Sequence, residues 1–135
     1  MITYQVEERI TVAEFKKILV DSTLGERRPI SESTRLGEML KHANLIVTAR
    51  DNGKLVGIAR SLTDFVYCTY LSDLAVDISY QNRGIGRELI KMTKQHSIKA
   101  KLILLSAPKS VNYYSKIGMK QREHCYVMDD INDLV

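Results

Sequence analysis

Leu74-Ala75-Val76-Asp77-Ile78-Ser79-Tyr80-Gln81-Asn82-Arg83-Gly84-Ile85-Gly86-Arg87-Glu88-Leu89 changes character twice. An apolar run suited to a strand gives way to a polar, glycine-bearing turn. The turn opens into a helix whose apolar face is set by Ile85, Leu89 and Met92. Amides at the start of a helix lack intrahelical partners and carry partial positive charge, which suits an anion. Gly84 and Gly86 remove the Cβ atoms that would obstruct a pyrophosphate, and Arg83 and Arg87 add positive charge. A dinucleotide fingerprint would need a third glycine where Leu89 stands, and the GK-Ser/Thr ending of a Walker loop is absent. The alternative is a glycine-capped helix that holds no ligand.

On the N-terminal side, residues 2–7 alternate as a first strand. Thr11-Val12-Ala13-Glu14 forms a capping box, and a helix face at Phe15, Ile18 and Leu19 runs on to Gly25. Leu36, Met39, Leu40 and Ala43 mark a second helix. Residues 45–49 and 55–60 read as strands joined at Asn52-Gly53, a pair that tolerates the positive φ angles of a tight hairpin. Residues 65–76 supply a further long strand. On the C-terminal side, Lys101-Leu102-Ile103-Leu104-Leu105-Ser106 reads as a strand buried on both faces. A short helix is expected over residues 111–117 before Gly118, and a last strand over residues 121–128. The order is β-α-α-β-β-β-α-β-α-β. Antiparallel hairpins followed by a βαβ crossover give an α/β fold with a mixed, mostly antiparallel sheet and helices on both faces.

The chain has 135 residues, 44% of them hydrophobic and 27% charged, which suits one domain spanning residues 1–135. Its net charge of +4 is spread along the chain, with no clustered basic patch to announce a nucleic-acid partner. Cys68 and Cys125 lie in apolar stretches without CxxC or metal-ligand spacing, so buried thiols and no metal are expected. No basic segment leads into an apolar one at the N-terminus, and no apolar run approaches the ~20 residues of a membrane span. A cytoplasmic protein with no membrane partner is the resulting expectation.

Gln81-x-x-Gly84-x-Gly86 resembles the pyrophosphate motif (Q/R)xxGx(G/A) of the GCN5-related N-acetyltransferases, in the same place between a strand and a helix. Tyr113-Tyr114-Ser115-Lys116-Ile117-Gly118-Met119 resembles that family's FYxKxGF segment, with Tyr for its first Phe and Met for its last. The likeness extends over nearly the whole chain, including the N-terminal helix pair and the Asn52-Gly53 hairpin.

The resemblance implies acetyl-CoA as cosubstrate and a primary amine as acceptor, joined by direct attack in a ternary complex. It implies that the coenzyme pyrophosphate meets the turn formed by Gln81, Asn82, Arg83, Gly84, Ile85, Gly86 and Arg87. The pantetheine arm would lie along Leu74, Ala75 and Val76, pairing with the backbone of Leu74 and Val76. Tyr114 matches the tyrosine that protonates the departing thiolate; otherwise it is a packing residue. Many relatives carry Asn seven positions earlier, where this chain has Ala107.

Asp73 is the best-placed carboxylate to act as base; its other reading is a structural cap or ion pair. Arg27 and Arg28 lie in the loop that borders the acceptor in the family, where they either grip an acceptor carboxylate or form a solvated charge pair. Tyr70 is a candidate to line the acceptor side. His42, His96 and His124 lack ligand spacing. A homodimer is a candidate assembly, because such dimers are frequent in the family. A non-catalytic acyl-CoA-binding module is the alternative to an enzyme.

Overall fold

Five strands form one sheet in chain order: β1 (Ile2–Val6), β2 (Leu45–Asp51), β3 (Lys54–Thr63), β4 (Cys68–Val76) and β5 (Lys101–Ile103). The first four are antiparallel to their neighbours, and β5 runs parallel to β4. The computed structural model describes residues 1–135, which group into two compact units, Met1–Leu105 and Ser106–Val135.

In the first unit, α1 (Val12–Asp21) and α2 (Ser33–His42) bury Phe15, Ile18, Leu19, Leu36 and Leu40 against Ile46, Ile58 and Ala75 of the sheet. At the start of α1, Thr11 Oγ1 accepts the Glu14 amide at 3.1 Å. Glu14 also bonds Arg50 Nη1 at 2.7 Å, while Arg50 Nε bonds Glu7 at 2.8 Å, so one guanidinium ties β1, α1 and β2 together. The helix ends at Asp21, four residues before Gly25, and residues 24–27 continue as a 3₁₀ turn. Ser22 makes this stop by donating its hydroxyl to Leu19 O at 3.1 Å and accepting the Leu24 amide at 3.2 Å.

The opposite face of the sheet carries α3 (Ile85–His96), the crossover between β4 and β5. Gly57 permits its close approach. A Cβ there would lie 3.1 Å from Ile85 Cγ2 and 3.1 Å from Leu89 Cδ1. Gly57 pairs with Val76 at the end of β4, so the start of α3 is held beside the end of that strand. The β2–β3 hairpin turns through Asn52 (φ 49°) and Gly53 (φ 85°), as expected of an Asn-Gly pair.

The second unit holds α4 (Val111–Lys116), followed by Gly118 at φ 101°. Three further expectations are corrected. The strand expected over residues 101–106 is only Lys101–Ile103, the edge strand of the sheet, and it is not buried on both faces: Lys101 and Ile103 are exposed, Leu102 is half-buried, and Leu105 beyond the strand is exposed. No strand forms over residues 121–128, whose backbone pairs with no neighbour, and Tyr126 is 94% exposed. Cys68 and Cys125 are exposed rather than buried, one at the outset of β4 and the other in that unpaired stretch.

Candidate active site

The β4 strand is interrupted at one residue. Arg60 pairs with Asp73 and Ser61 with Leu71, leaving Ser72 without a partner on β3, a β-bulge that bends the strand. On its other side β4 pairs with β5 only at Cys68, Tyr70 and the Thr69 between them. From Leu71 to Val76 the β5-facing edge of β4 is therefore open, and it ends beside the start of α3. Leu74, Ala75 and Val76 line this edge. Open backbone donors and acceptors on a strand are a template for an added extended chain.

Beyond β4, Asp77 Oδ1 accepts the Ser79 amide at 2.8 Å and starts a 3₁₀ turn over Ile78–Tyr80. The Tyr80 hydroxyl donates to Asp51 Oδ2 at 2.8 Å, and Lys54 Nζ lies 3.7 Å from Asp77 Oδ2, so the β2–β3 hairpin anchors the turn. The Arg83 guanidinium sits 5.0 Å from the centroid of the Tyr80 ring. Asn82 (φ 63°) and Gly84 (φ 79°) both adopt left-handed backbone. At Gly84 only glycine takes this conformation without cost. The first backbone bond of α3 runs from the Glu88 amide to Gly84 O at 3.1 Å, and no side chain caps the helix. The amides of Ile85, Gly86 and Arg87 thus lie ahead of the helical ladder, with Arg83 and Arg87 exposed beside them. Gln81 plays a different part: its Nε2 donates to Val76 O at 3.0 Å, taking one of the strand's carbonyls and tying the turn back to β4.

Asp73 is fully buried and placed on the α1/α2 face of the sheet. Arg28 Nε donates to one of its oxygens and Arg60 Nε to the other. The two arginines also serve the bulge: Arg28 Nη2 donates to Ser72 O and Arg60 Nη2 to Ser72 Oγ, at 2.8 and 3.0 Å. Arg60 Nη1 reaches Met39 O at 3.0 Å, and Arg28 Nη1 reaches Arg27 O at 2.8 Å. Of the two alternatives for Asp73, the geometry is that of the ion pair. Arg28 is likewise engaged with the protein, while Arg27 is exposed. Arg60 and Ser72 escaped notice in the sequence, although an arginine ending the apolar run Leu55–Ala59 signals a charge that needs a buried partner.

Tyr70 lies on β4 two residues before the bulge, opposite Leu62 and Ile103. Tyr114, on α4, is half-buried and meets the Tyr113 ring edge-on, with centroids 5.2 Å apart. Burial, with a smaller contribution from Tyr113, raises its pKa above the usual phenol value. No three His, Cys, Asp or Glu side chains converge as a metal site. No helix is long and apolar enough to cross a membrane.

Residues 7–134 match the family model of the acetyltransferase (GNAT) domain. The chain belongs to the GNAT family. Uncharacterized N-acetyltransferases ycf52 of Porphyra purpurea and Pyropia yezoensis are 27% and 29% identical to it over 108 residues, covering 74% of the chain and 60% of theirs. The chain therefore spans about three-fifths of the length of these curated relatives. A GNAT-family protein of Streptococcus pneumoniae TIGR4 shares its fold with a TM-score of 0.76 at 22% identity, over 96% of this chain and 100% of that one. An aminoglycoside N-acetyltransferase solved with CoA superposes with a TM-score of 0.74 at 13% identity, over 97% and 95% of the two chains. As in these GNAT folds, the sheet is mixed and the helices lie on both faces.

Proposed function

We propose that this GNAT chain transfers an acetyl group from acetyl-CoA to a primary amine. The observation that carries the reading is the conjunction, within the first unit, of an open β4 edge and a glycine turn with forward-facing helix amides. The separation between them is set by the Gly57 contact with α3. An extended pantetheine arm fits the requirements of the open edge, because its amides alternate donors and acceptors along an uncharged chain. A pyrophosphate fits those of the turn: backbone amides ahead of the first helical bond, positive helix polarity, and Arg83 and Arg87 alongside. Gln81 is assigned to holding the turn against Val76, while Asn82 sets its left-handed bend.

In this reading the protein contributes alignment more than covalent chemistry. The thioester carbonyl is assigned to the bulge in β4, where the unprotonated amine attacks it directly; the C–N bond forms as the C–S bond breaks, and the proton shed by the nitrogen passes to solvent. Placing both reactants in one orientation removes much of the entropic barrier. Amides near the bulge stabilise the oxyanion. The thiolate leaves readily because a free thiol titrates near pH 8.5. Tyr114 is assigned the role of its proton donor on the strength of its motif, and a raised pKa keeps the phenol protonated at neutral pH. Asp73 is assigned to positioning: with both oxygens held by guanidiniums, it fixes the bulge and the Arg28 loop. Arg28 acts with it, and Arg27 is the arginine left to face an acceptor.

The test is thiol release from acetyl-CoA across an amine panel, with product mass as confirmation. Saturable release with an acetylated product supports transfer. Tight acetyl-CoA binding with no transfer to any amine would instead favour a non-catalytic acyl-CoA-binding module.

A further inference from the structure

The acceptor's chemistry is written on the part of the sheet that α1 and α2 leave uncovered. Arg60 and Asp73 mark the limit of that cover. Two pairs nearer the β3–β4 hairpin, Leu62, Tyr70 and Ile103 stand in register across three strands. Leu62 lies two residues from Arg60 along β3, so the trio shares the face that carries the Arg28–Asp73–Arg60 cluster. The three side chains are 42%, 39% and 43% exposed, an apolar shelf beside the bulge from which the open β4 edge begins. The hairpin next to it is firmly built. Asp64 Oδ1 accepts the amides of Val66, Tyr67 and Cys68 at 2.9, 2.8 and 3.1 Å, and Thr63 Oγ1 accepts that of Phe65 at 2.9 Å. Phe65, Val66 and Tyr67 are thereby held exposed at the tip.

The charges around the shelf narrow the choice of ligand. Asp73 is matched by two guanidiniums, so that cluster carries one net positive charge. Asp64 holds three backbone amides on its Oδ1 and keeps its single negative charge, which Lys101 at the β5 end, 6.0 Å from the Tyr67 ring centroid, offsets. A polyamine or an amino sugar would bring several cations to a surface whose named charges, Arg28, Arg60 and Lys101 against Asp73 and Asp64, sum to one net positive charge, whereas an apolar body would cover exposed side chains. We propose that the Leu62–Tyr70–Ile103 shelf is the acceptor-binding surface and selects a primary amine bearing one apolar or aromatic group over polycationic amines. This rests on the acetyl-CoA reading, which the same experiment checks separately.

With the full chain and saturating acetyl-CoA, 2-phenylethylamine and tryptamine are compared with spermidine and glucosamine by thiol release and product mass, while calorimetry follows acetyl-CoA binding. The aromatic amines should exceed spermidine at least about tenfold in kcat/KM, the scale on which an apolar contact discriminates. Tyr70→Ser should raise KM for 2-phenylethylamine about tenfold and leave the acetyl-CoA dissociation constant within twofold. Leu62→Glu should shift the ratio toward spermidine by replacing an apolar contact with a carboxylate on the shelf itself. Equal or better turnover of spermidine or glucosamine overturns the inference, as does an unchanged KM in Tyr70→Ser. Bound acetyl-CoA without transfer to either aromatic amine also overturns it, whereas failure of acetyl-CoA to bind removes the underlying reading instead.

Discussion

Asp73→Asn separates a positioning carboxylate from a catalytic one. Asparagine keeps the shape but offers one acceptor oxygen where the carboxylate had two, and its amide group turns N–H bonds toward a guanidinium that also donates. One arginine must lose its partner. The Arg60 side chain is 6% exposed and that of Arg28 is 22%, so neither has ready recourse to water. Removing one partner of a buried ion pair costs about 3–5 kcal/mol. Both arginines retain bonds to Ser72 and to a carbonyl of Met39 or Arg27, which places the expected loss near the lower end, about 3 kcal/mol. For a chain of this size that corresponds to a fall in melting temperature of about 10–15 °C. Urea unfolding followed by circular dichroism measures the first quantity and a thermal scan the second. Arg28→Met in the Asp73→Asn background removes one of the two uncompensated cations, so the double variant should be more stable than the single one. A loss of stability below about 1 kcal/mol, coupled with loss of acetyl transfer, would refute the positioning role and restore Asp73 as the base.

Tyr114→Phe should lower turnover about 10²- to 10⁴-fold and barely change acetyl-CoA affinity, because the hydroxyl acts in the transition state; wild-type turnover on a confirmed acceptor would remove Tyr114 from the mechanism. Three carboxylates make a pH prediction. Burial opposes the charge of Glu7, but hydrogen bonds led by Arg50 outweigh it and hold the pKa low; Arg50 does the same for Glu14, and the amides of Tyr67, Val66 and Cys68 do so for Asp64. Folded-state pKa values below the unfolded ones mean that the unfolded chain binds more protons, so this stabilisation is complete above the ordinary carboxylate pKa of about 4 and is lost as pH falls through the folded values. Urea midpoints should therefore drop steeply below about pH 4, and Arg50→Met should flatten that drop; an unchanged slope in the variant would contradict the assignment. Gly84→Val should weaken coenzyme binding as well as the fold, since a β-branched residue resists φ 79°; calorimetry showing full affinity would mean that the turn tolerates other backbone conformations.

Local chemistry made much of this fold legible. The Thr11 cap, the Asn52-Gly53 hairpin and the glycine turn into α3 each depend on a few neighbouring residues, and the structure forms all three. Strands at the C-terminal end were less legible. An apolar run reports that burial is wanted but does not name the partner, so residues 101–106 and 121–128 read as strands although only Lys101–Ile103 finds a neighbour. Ser22 ended α1 early through a side-chain bond that competes with the helix, a contest that the apolar periodicity does not register. The bulge at Ser72 is a one-residue offset between β3 and β4, invisible until both strands are aligned. Arg28 and Asp73 are 45 residues apart, and only the fold brings them together. The same holds for Tyr80, which reads as a turn residue until Asp51 and Arg83 are seen around it.

The turn at the start of α3 is proposed to hold an acyl-coenzyme pyrophosphate, and calorimetric titration of acetyl-CoA into the wild type and Gly86→Asp tests that placement. Aspartate at that position introduces a side chain and a negative charge among the amides of Ile85, Gly86 and Arg87. Saturable binding to the wild type is expected, with at least about a hundredfold weaker binding, or about 2.8 kcal/mol, to a variant whose circular dichroism is unchanged, since each factor of ten corresponds to about 1.4 kcal/mol. Equal affinity in the two folded proteins, or no binding to the wild type at millimolar acetyl-CoA, would contradict it.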